Sequence, residues 1–336
     1  VAIAAGAIAI APAVLRSAQA SEGRAAEGVS FRLFDAHVHL VADDKRKYPR
    51  GGGGNPPPSG GGLPPGVGGQ PGGSAGNSVR AEPDVERVIH WMDEQGVEGG
   101  AAVQKRGTYG YDNSYILDSA DLHKDRLAPV VVLDAQDAKT PQLVRDLVKK
   151  RGLAALRLTG GPAADGSFPW LSSPAALNTW AVAEETGVVM DLMITSSGPS
   201  PAGIAEIIKL AQRFPKARLV LDHVAYPNPQ GGPEYGIDII HRSLAQYRNI
   251  YYKFTIINLD LLREAKVPAA DFVRRIVDVY GADRVMWGSD VGNSAGTYQE
   301  LVSRIVAATA KLDDSEKRMV LHDTGKSVFV RGGHSL

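Results

Sequence analysis

Residues 33–41 read Leu-Phe-Asp-Ala-His-Val-His-Leu-Val, a short apolar run with three ionisable side chains set two apart. Strand alternation puts Asp35, His37 and His39 on one face and Ala36 and Val38 on the other. Working outward, similar β-branched or apolar runs recur at 99–104, 127–133, 153–159, 188–195, 218–225, 249–256 and 284–289. Amphipathic stretches separate them, at 83–95, 113–122, 141–150, 174–186, 201–214, 237–247, 268–280 and 298–312. Several open with proline, whose missing N–H costs nothing in a first helical turn. Strands alternating with helices in this way predict an α/β fold, a parallel (β/α)8 TIM barrel. The competing doubly wound open sheet is weakened because no glycine-rich dinucleotide fingerprint follows the first strand.

Composition narrows the function. Lysine plus arginine (37) equal aspartate plus glutamate (37), so no strong field draws in nucleic acid or an anionic membrane. The chain has no cysteine, which removes disulfides, thiolate metal sites and a cysteine nucleophile. Any metal must sit on imidazole and carboxylate. The expected partner is a small-molecule substrate, and nothing in the sequence sets an oligomeric state.

Two segments fall outside the strand–helix pattern. Val1 to Leu15 is alanine-rich and apolar, followed by Arg16 and by Ala18-Gln19-Ala20. That is expected to be what is left of a secretory signal peptide over residues 1–20, with the polar linker 21–30 after it. The run is too short to span a bilayer, so a secreted or periplasmic protein is expected, with no membrane role beyond export. The barrel itself is expected over 31–332. Residues 49–77 are dominated by glycine and proline and form an insertion after the first strand that cannot bury a core. In a barrel it leaves from the face where active sites lie, either as solvated sequence or as a lid.

The chemistry sits at strand ends. His37 and His39 would aim two imidazoles at one metal or one substrate oxygen. On the sixth strand Leu219, Leu221 and His223 are expected to share a face, which brings His223 to the same end. On the eighth, Met286, Gly288 and Asp290 share a face, and Asp290 should lie beside the first strand once the barrel closes. Three histidines and a carboxylate converging from three strands make a functional site. His90, His123, His241, His322 and His334 lie in helices or the tail and are expected to be uninvolved.

These motifs resemble the amidohydrolase superfamily, in its amidohydrolase-2 branch of sugar lactonases, pyrone-dicarboxylate lactonase and metal-dependent decarboxylases. Phe34 through His39, Leu221-Asp222-His223, and Arg284 with Trp287-Gly288-Ser289-Asp290 carry the resemblance. Weaker agreement comes from Val103-Gln104, Leu156-Arg157-Leu158 and Tyr252-Lys253-Phe254-Thr255. The resemblance implies a hydrolase that opens a lactone or related cyclic ester. Asp290 would serve as general base while His37, His39 and His223 polarise the carbonyl, directly or through a metal. The alternative is a metal-dependent non-oxidative decarboxylase of a small aromatic or unsaturated acid.

Departures from the family matter. Members with two metals bridge them through a modified lysine on strand four, where this chain has Arg157. Members with one firm metal add a histidine from strand five, and 188–195 has none. The cofactor expectation is therefore none, or one divalent ion, zinc first, on His37, His39 and Asp290. Asp191 would be a substitute ligand or, preferred here, a buried aspartate bonded to backbone. Arg157 and Lys253 would either grip the substrate or serve as structural ion-pair partners. Tyr109, Tyr111 and Tyr226, in loops at the active face, would line a ring-shaped substrate. A barrel that only binds is the third reading, and a carboxylate opposed to electrophiles argues against it.

Overall fold

The computed structural model describes residues 31–51, 82–194, 201–229 and 231–330, all within the compact unit Phe31–Leu336. The expected export segment, the linker and residues 52–77 of the insertion lie outside the described residues. Among the described residues no helix is long and apolar enough to cross a membrane.

Each apolar run becomes a parallel strand: β1 Leu33–His39, β2 Val97–Val103, β3 Leu127–Val132, β4 Ala155–Gly160, β5 Val189–Ile194, β6 Leu219–Asp222, β7 Ile250–Thr255 and β8 Val285–Gly288. They lie side by side in chain order in one 8-stranded sheet. The sheet curls until β8 meets β1 just past its end. There the Asp290 N–H donates to His37 O at 2.9 Å and the His39 N–H donates to Val291 O at 3.0 Å. The architecture is the (β/α)8 barrel.

Local chemistry starts and stops the helices. Pro174–Thr186 begins at Ser173, whose side chain accepts from the Ala176 N–H, and ends at Gly187, with φ 71°. There glycine tolerates the left-handed turn that closes a helix. Tyr298–Ala308 opens on a reciprocal Thr297–Glu300 capping box. Ile256–Glu264 is among the helices that escape the sequence pattern. It follows β7 without a break, through a capping box of Thr255 and Asn258. Its apolar start reads as a continuation of the strand.

The core has two layers. Leu156, Leu192, Leu219, Leu221, Phe254 and Trp287 pack outward with the helices. Phe34, Ala36, Val130, Val189, Val220 and Met286 fill the barrel's lower interior together with Val328 and Phe329. Val328 and Phe329 belong to the last described helix, Thr324–Phe329.

This layering corrects two expectations. In β1 the register slips between Asp35 and Val38, so that Ala36 and His37 together face Ala101 of β2. Ala36 therefore packs inside, and His37 and His39 also turn inward. Asp35 does not share their face. It accepts from the Ser289 and His37 N–H groups at 2.8 and 3.1 Å and from the Tyr298 hydroxyl at 3.0 Å. Burial pushes its carboxyl up to about 6 against those bonds, and it ties β1 to β8 and to the helix beyond. In β6 it is Val220 that faces inward, while Leu219 and Leu221 face the helices. His223 reaches the interior by another route.

Candidate active site

Two residues above the apolar layer, the inward positions become ionisable. Arg157 follows Ala155, Asp191 follows Val189, Asp222 follows Val220 and Lys253 follows Tyr251, each by the simple period of a strand. All four are buried. Lys253 Nζ donates to Asp191 Oδ2 at 3.0 Å and to His37 Nδ1 at 3.1 Å, and lies 2.7 Å from Asp222 Oδ1. Arg157 grips Asp222 Oδ2 with Nε at 2.8 Å and with Nη2 at 2.7 Å. Despite burial, which opposes it, Lys253 and Arg157 hold the Asp222 carboxyl well below the usual carboxylate range. Burial and the charge of Asp222 push Asp191 up to about 7. Asp191 is thus bonded to an ammonium rather than to backbone, which replaces the expectation for it.

Above this network stands a triangle of ligand-type atoms. His37 Nε2 and His39 Nε2 lie 3.1 Å apart, and each is 3.4 Å from Asp290 Oδ1. His39 Nδ1 is 2.8 Å from Val103 O. A carbonyl only accepts, so Nδ1 carries the proton and Nε2 presents a lone pair. Asp290 Oδ2 accepts from Ser294 Oγ at 3.1 Å, which leaves Oδ1 toward the histidines. Burial would raise Asp290, but the imidazoles of His39, His37 and His223 around it hold it below the ordinary carboxylate value. Burial, joined by the charge of Lys253, keeps His37 well below its usual range.

Atoms about 2.0–2.2 Å from a tetrahedral or octahedral ion are separated from each other by roughly 3.0–3.5 Å. The three edges of the triangle match that spacing, and His37, His39 and Asp290 form a group able to hold one divalent ion. The residues fit. A second such group, His37 with Asp191 and Asp222, already contains the Lys253 ammonium and offers a cation little.

His223 and Tyr226 enter on strained backbone. The strand stops at Asp222, and His223, Val224, Ala225 and Tyr226 all take positive φ, between 51° and 55°. A left-handed turn costs L-residues roughly 1–2 kcal/mol each, so surrounding bonds must hold it. Asn258 Nδ2 donates to His223 O at 2.8 Å, and Thr255 Oγ1 lies 2.7 Å from His223 Nδ1. Burial pushes His223 down to about 4. The turn packs the Tyr226 ring against His223 at a tilt of 45°, with centroids 4.8 Å apart. The buried Tyr226 hydroxyl has no hydrogen-bond partner among the described residues. Burial keeps it protonated, so it is a donor. Asp290 likewise sits past its strand at φ 52°. Gly288 lets β8 come close to β1, because a Cβ there would stand 2.4 Å from His37 Cβ.

The other expected residues divide. Arg157 and Lys253 are engaged by the carboxylates beside them. Tyr109 is buried with its hydroxyl accepting from the Ala42 N–H at 2.8 Å, and Tyr111 packs beneath Arg106. His322 lies in a buried turn within Met319–Asp323, bridging Glu98 and Asp323 rather than trailing in a tail. His334 lies outside the described residues. Asp222 is the residue that sequence reasoning passed over. With Leu219 and Leu221 expected inward, Asp222 points outward; with Val220 inward instead, alternation brings Asp222 to the interior.

Comparison with known proteins agrees with this fold. The model of the amidohydrolase family, in its second division, matches residues 34–329. An L-fucono-1,5-lactonase of Burkholderia ambifaria is 25% identical over 205 residues, which cover 59% of this chain and 66% of that protein, just under two thirds of its length. Among solved structures, a 2-pyrone-4,6-dicarboxylic acid hydrolase candidate of Pseudomonas putida superposes with a TM-score of 0.63 at 18% identity, covering 90% of this chain and 98% of that one. An amidohydrolase of Burkholderia multivorans with bound zinc gives 0.63 at 18% identity, with 90% and 100% covered. A 2,6-dihydroxybenzoate decarboxylase of Rhizobium gives 0.60 at 12% identity, with 89% and 99% covered. At these identities the solved structures establish the fold.

Proposed function

Because the chain belongs to the amidohydrolase family, we propose that it is a hydrolase that opens a lactone or related cyclic ester of a sugar acid. The observation that carries the reading is the Asp290 carboxylate set 3.4 Å from two imidazole nitrogens. A proton acceptor beside electrophiles is what attack of water on an ester carbonyl needs. The lactonase relative supports the same substrate class.

In this mechanism Asp290 takes a proton from the attacking water and returns it to the departing ring alkoxide. Ser294 holds Asp290 Oδ2, so the same oxygen faces the reaction in both steps. His37 and the neighbouring His223, 5.6 Å away between ring centroids, meet the negative charge that grows on the carbonyl oxygen, while the Nε2 lone pair of His39 would serve as an ion ligand. His37, His39 and Asp290 would hold a divalent ion, which supplies Lewis-acid polarisation of the carbonyl when bound. Tyr226 donates to a ring hydroxyl or carbonyl of the substrate. Arg157 and Lys253 act from beneath, by fixing Asp222 and His37. Export, read from residues 1–20, belongs to the same proposal and places the enzyme in the periplasm or medium.

The alternative is a non-oxidative decarboxylase, supported by the shared fold of the Rhizobium enzyme. Against it, the strand-five position that would firm up a metal is Asp191, and Lys253 already holds that carboxylate. A panel of five- and six-membered aldonolactones, followed by acid release, tests the proposal against aromatic hydroxy acids followed by CO2. Acid release above the spontaneous rate is expected. Carbon dioxide from an aromatic acid, with no lactone opened, would replace this reading with its rival.

A further inference from the structure

The buried charges under the triangle decide where the proton of His37 sits. A lysine ammonium has hydrogens to donate and no lone pair. Lys253 Nζ, 3.1 Å from His37 Nδ1, therefore makes Nδ1 an acceptor. In a neutral imidazole the proton then lies on Nε2. That assignment closes a chain. His37 Nε2–H points at the His39 Nε2 lone pair at 3.1 Å, and His39 Nδ1–H donates to Val103 O at 2.8 Å. Every nitrogen of both rings is satisfied without an ion.

A second station for the same proton stands beside the first. Asp222 Oδ1 lies 3.4 Å from His37 Nδ1. Although it is also close to Lys253, it takes no directed hydrogen bond among the described residues and is fully buried. The Lys253 ammonium at 2.7 Å balances its charge, and the oxygen still has a lone pair to offer the His37 ring. It is used when His37 carries its proton on Nδ1, and in that tautomer Nε2 presents a lone pair to the triangle.

We infer that Lys253 and Asp222 form a tautomer selector for His37. Lys253 holds the ring as an Nε2–H donor in the metal-free protein, and Asp222 holds it as an Nε2 ligand when a divalent ion is bound. Lys253 is a positioning residue acting through His37. The switch loses no proton: one leaves Nε2, one arrives on Nδ1, and Lys253 gives up its third contact. In the metal-free state His37 is the histidine of the pair with a proton to offer a carbonyl oxygen, because that of His39 goes to Val103. Metal binding is weakened by the free energy of turning the tautomer over. The inference rests on the site proposed above but not on its substrate.

Nitrogen-15 NMR of uniformly labelled protein, free of metal and then titrated with zinc(II), reads the tautomer directly. The His37 ring should show its proton on Nε2 without metal and on Nδ1 with zinc. A paired variant, Lys253→Met with Asp191→Leu, removes one charge of each sign and leaves Asp222 to Arg157. Its metal-free His37 should already show the Nδ1–H form, and it should bind zinc about tenfold more tightly, within the range second-sphere partners command. An Nδ1–H His37 in the metal-free native protein overturns the inference even if the variant fails to fold. Zinc affinity unchanged in a folded variant overturns it as well. Neither readout uses turnover, so failure here is separable from failure of the lactonase reading.

Discussion

The lower and upper halves of the barrel interior are built on the same strands two residues apart, and they obey different rules. Below, Phe34, Val130, Val189, Val220 and Met286 pack as an apolar plug sealed by Phe329. Above, Arg157, Asp191, Asp222 and Lys253 fill the matching positions with charge, and Lys253 Nζ marks the border, 5.2 Å from the Phe329 ring centroid. The lower half is stabilised by removal of apolar surface from water, about 1.5–3 kcal/mol for each large side chain. In the upper half, burying charge costs free energy that only reciprocal pairing offsets. Stability is concentrated at one end and reactivity at the other, and substitutions should separate the two.

The largest effect is expected at the top. Asp290→Asn should lower kcat by roughly 10²–10⁴, the usual loss on removing a general base, with the melting temperature little changed. Steady-state kinetics and a thermal melt on one preparation check it, and near-native turnover would take Asp290 out of the mechanism. At the bottom the pattern should invert. Phe34→Ala should cost about 3–5 kcal/mol of stability in denaturant titration, while kcat per folded molecule below the transition stays near native. If kcat falls as steeply as for the Asp290 variant, the two halves are not separable.

Acid should reach the top before the bottom. His223 is pushed down to about 4 by burial, while unfolding returns it to its ordinary value near 6.5. The unfolded state then binds the proton first. Stability due to keeping His223 neutral is complete above pH 6.5 and is lost as pH falls toward 4, by roughly 3 kcal/mol. The difference in unfolding free energy between native protein and His223→Asn should shift by about that amount across the window. A flat difference would mean that the ring is not desolvated as described. The smallest effect is expected at Tyr226→Phe, where the lost hydroxyl has no protein partner. Stability should hold or rise slightly, and KM should increase by a few-fold to about tenfold, the worth of one neutral hydrogen bond.

The same division explains what the sequence revealed. Barrel order, strand positions and the inward direction of Arg157, Asp191 and Lys253 follow from period-2 alternation and were legible. His37, His39, His223 and Asp290 were nameable as a group, but not by the geometry that delivers them. His37 turns inward across a register slip, and His223 and Asp290 stand on left-handed backbone beyond their strands. Those conformations cost free energy locally and are held by distant partners, Asn258 at the His223 carbonyl and the His37 carbonyl at the Asp290 N–H. No local pattern encodes them. The roles of Arg157 and Lys253 were open for a related reason: their partners, Asp222 and Asp191, come from other strands, and only closure of the barrel brings them within reach.

The central claim is that the upper half activates water against an ester carbonyl, and oxygen-18 measures that most directly. A six-membered aldonolactone is opened by the native enzyme in labelled water, with Asp290→Asn as the background. The account predicts one oxygen-18 in the product carboxylate per turnover, at a rate that falls to background in the variant. Label in the released hydroxyl would contradict attack at the carbonyl. Carbon dioxide from an aromatic acid, with no lactone opened, would contradict hydrolysis itself.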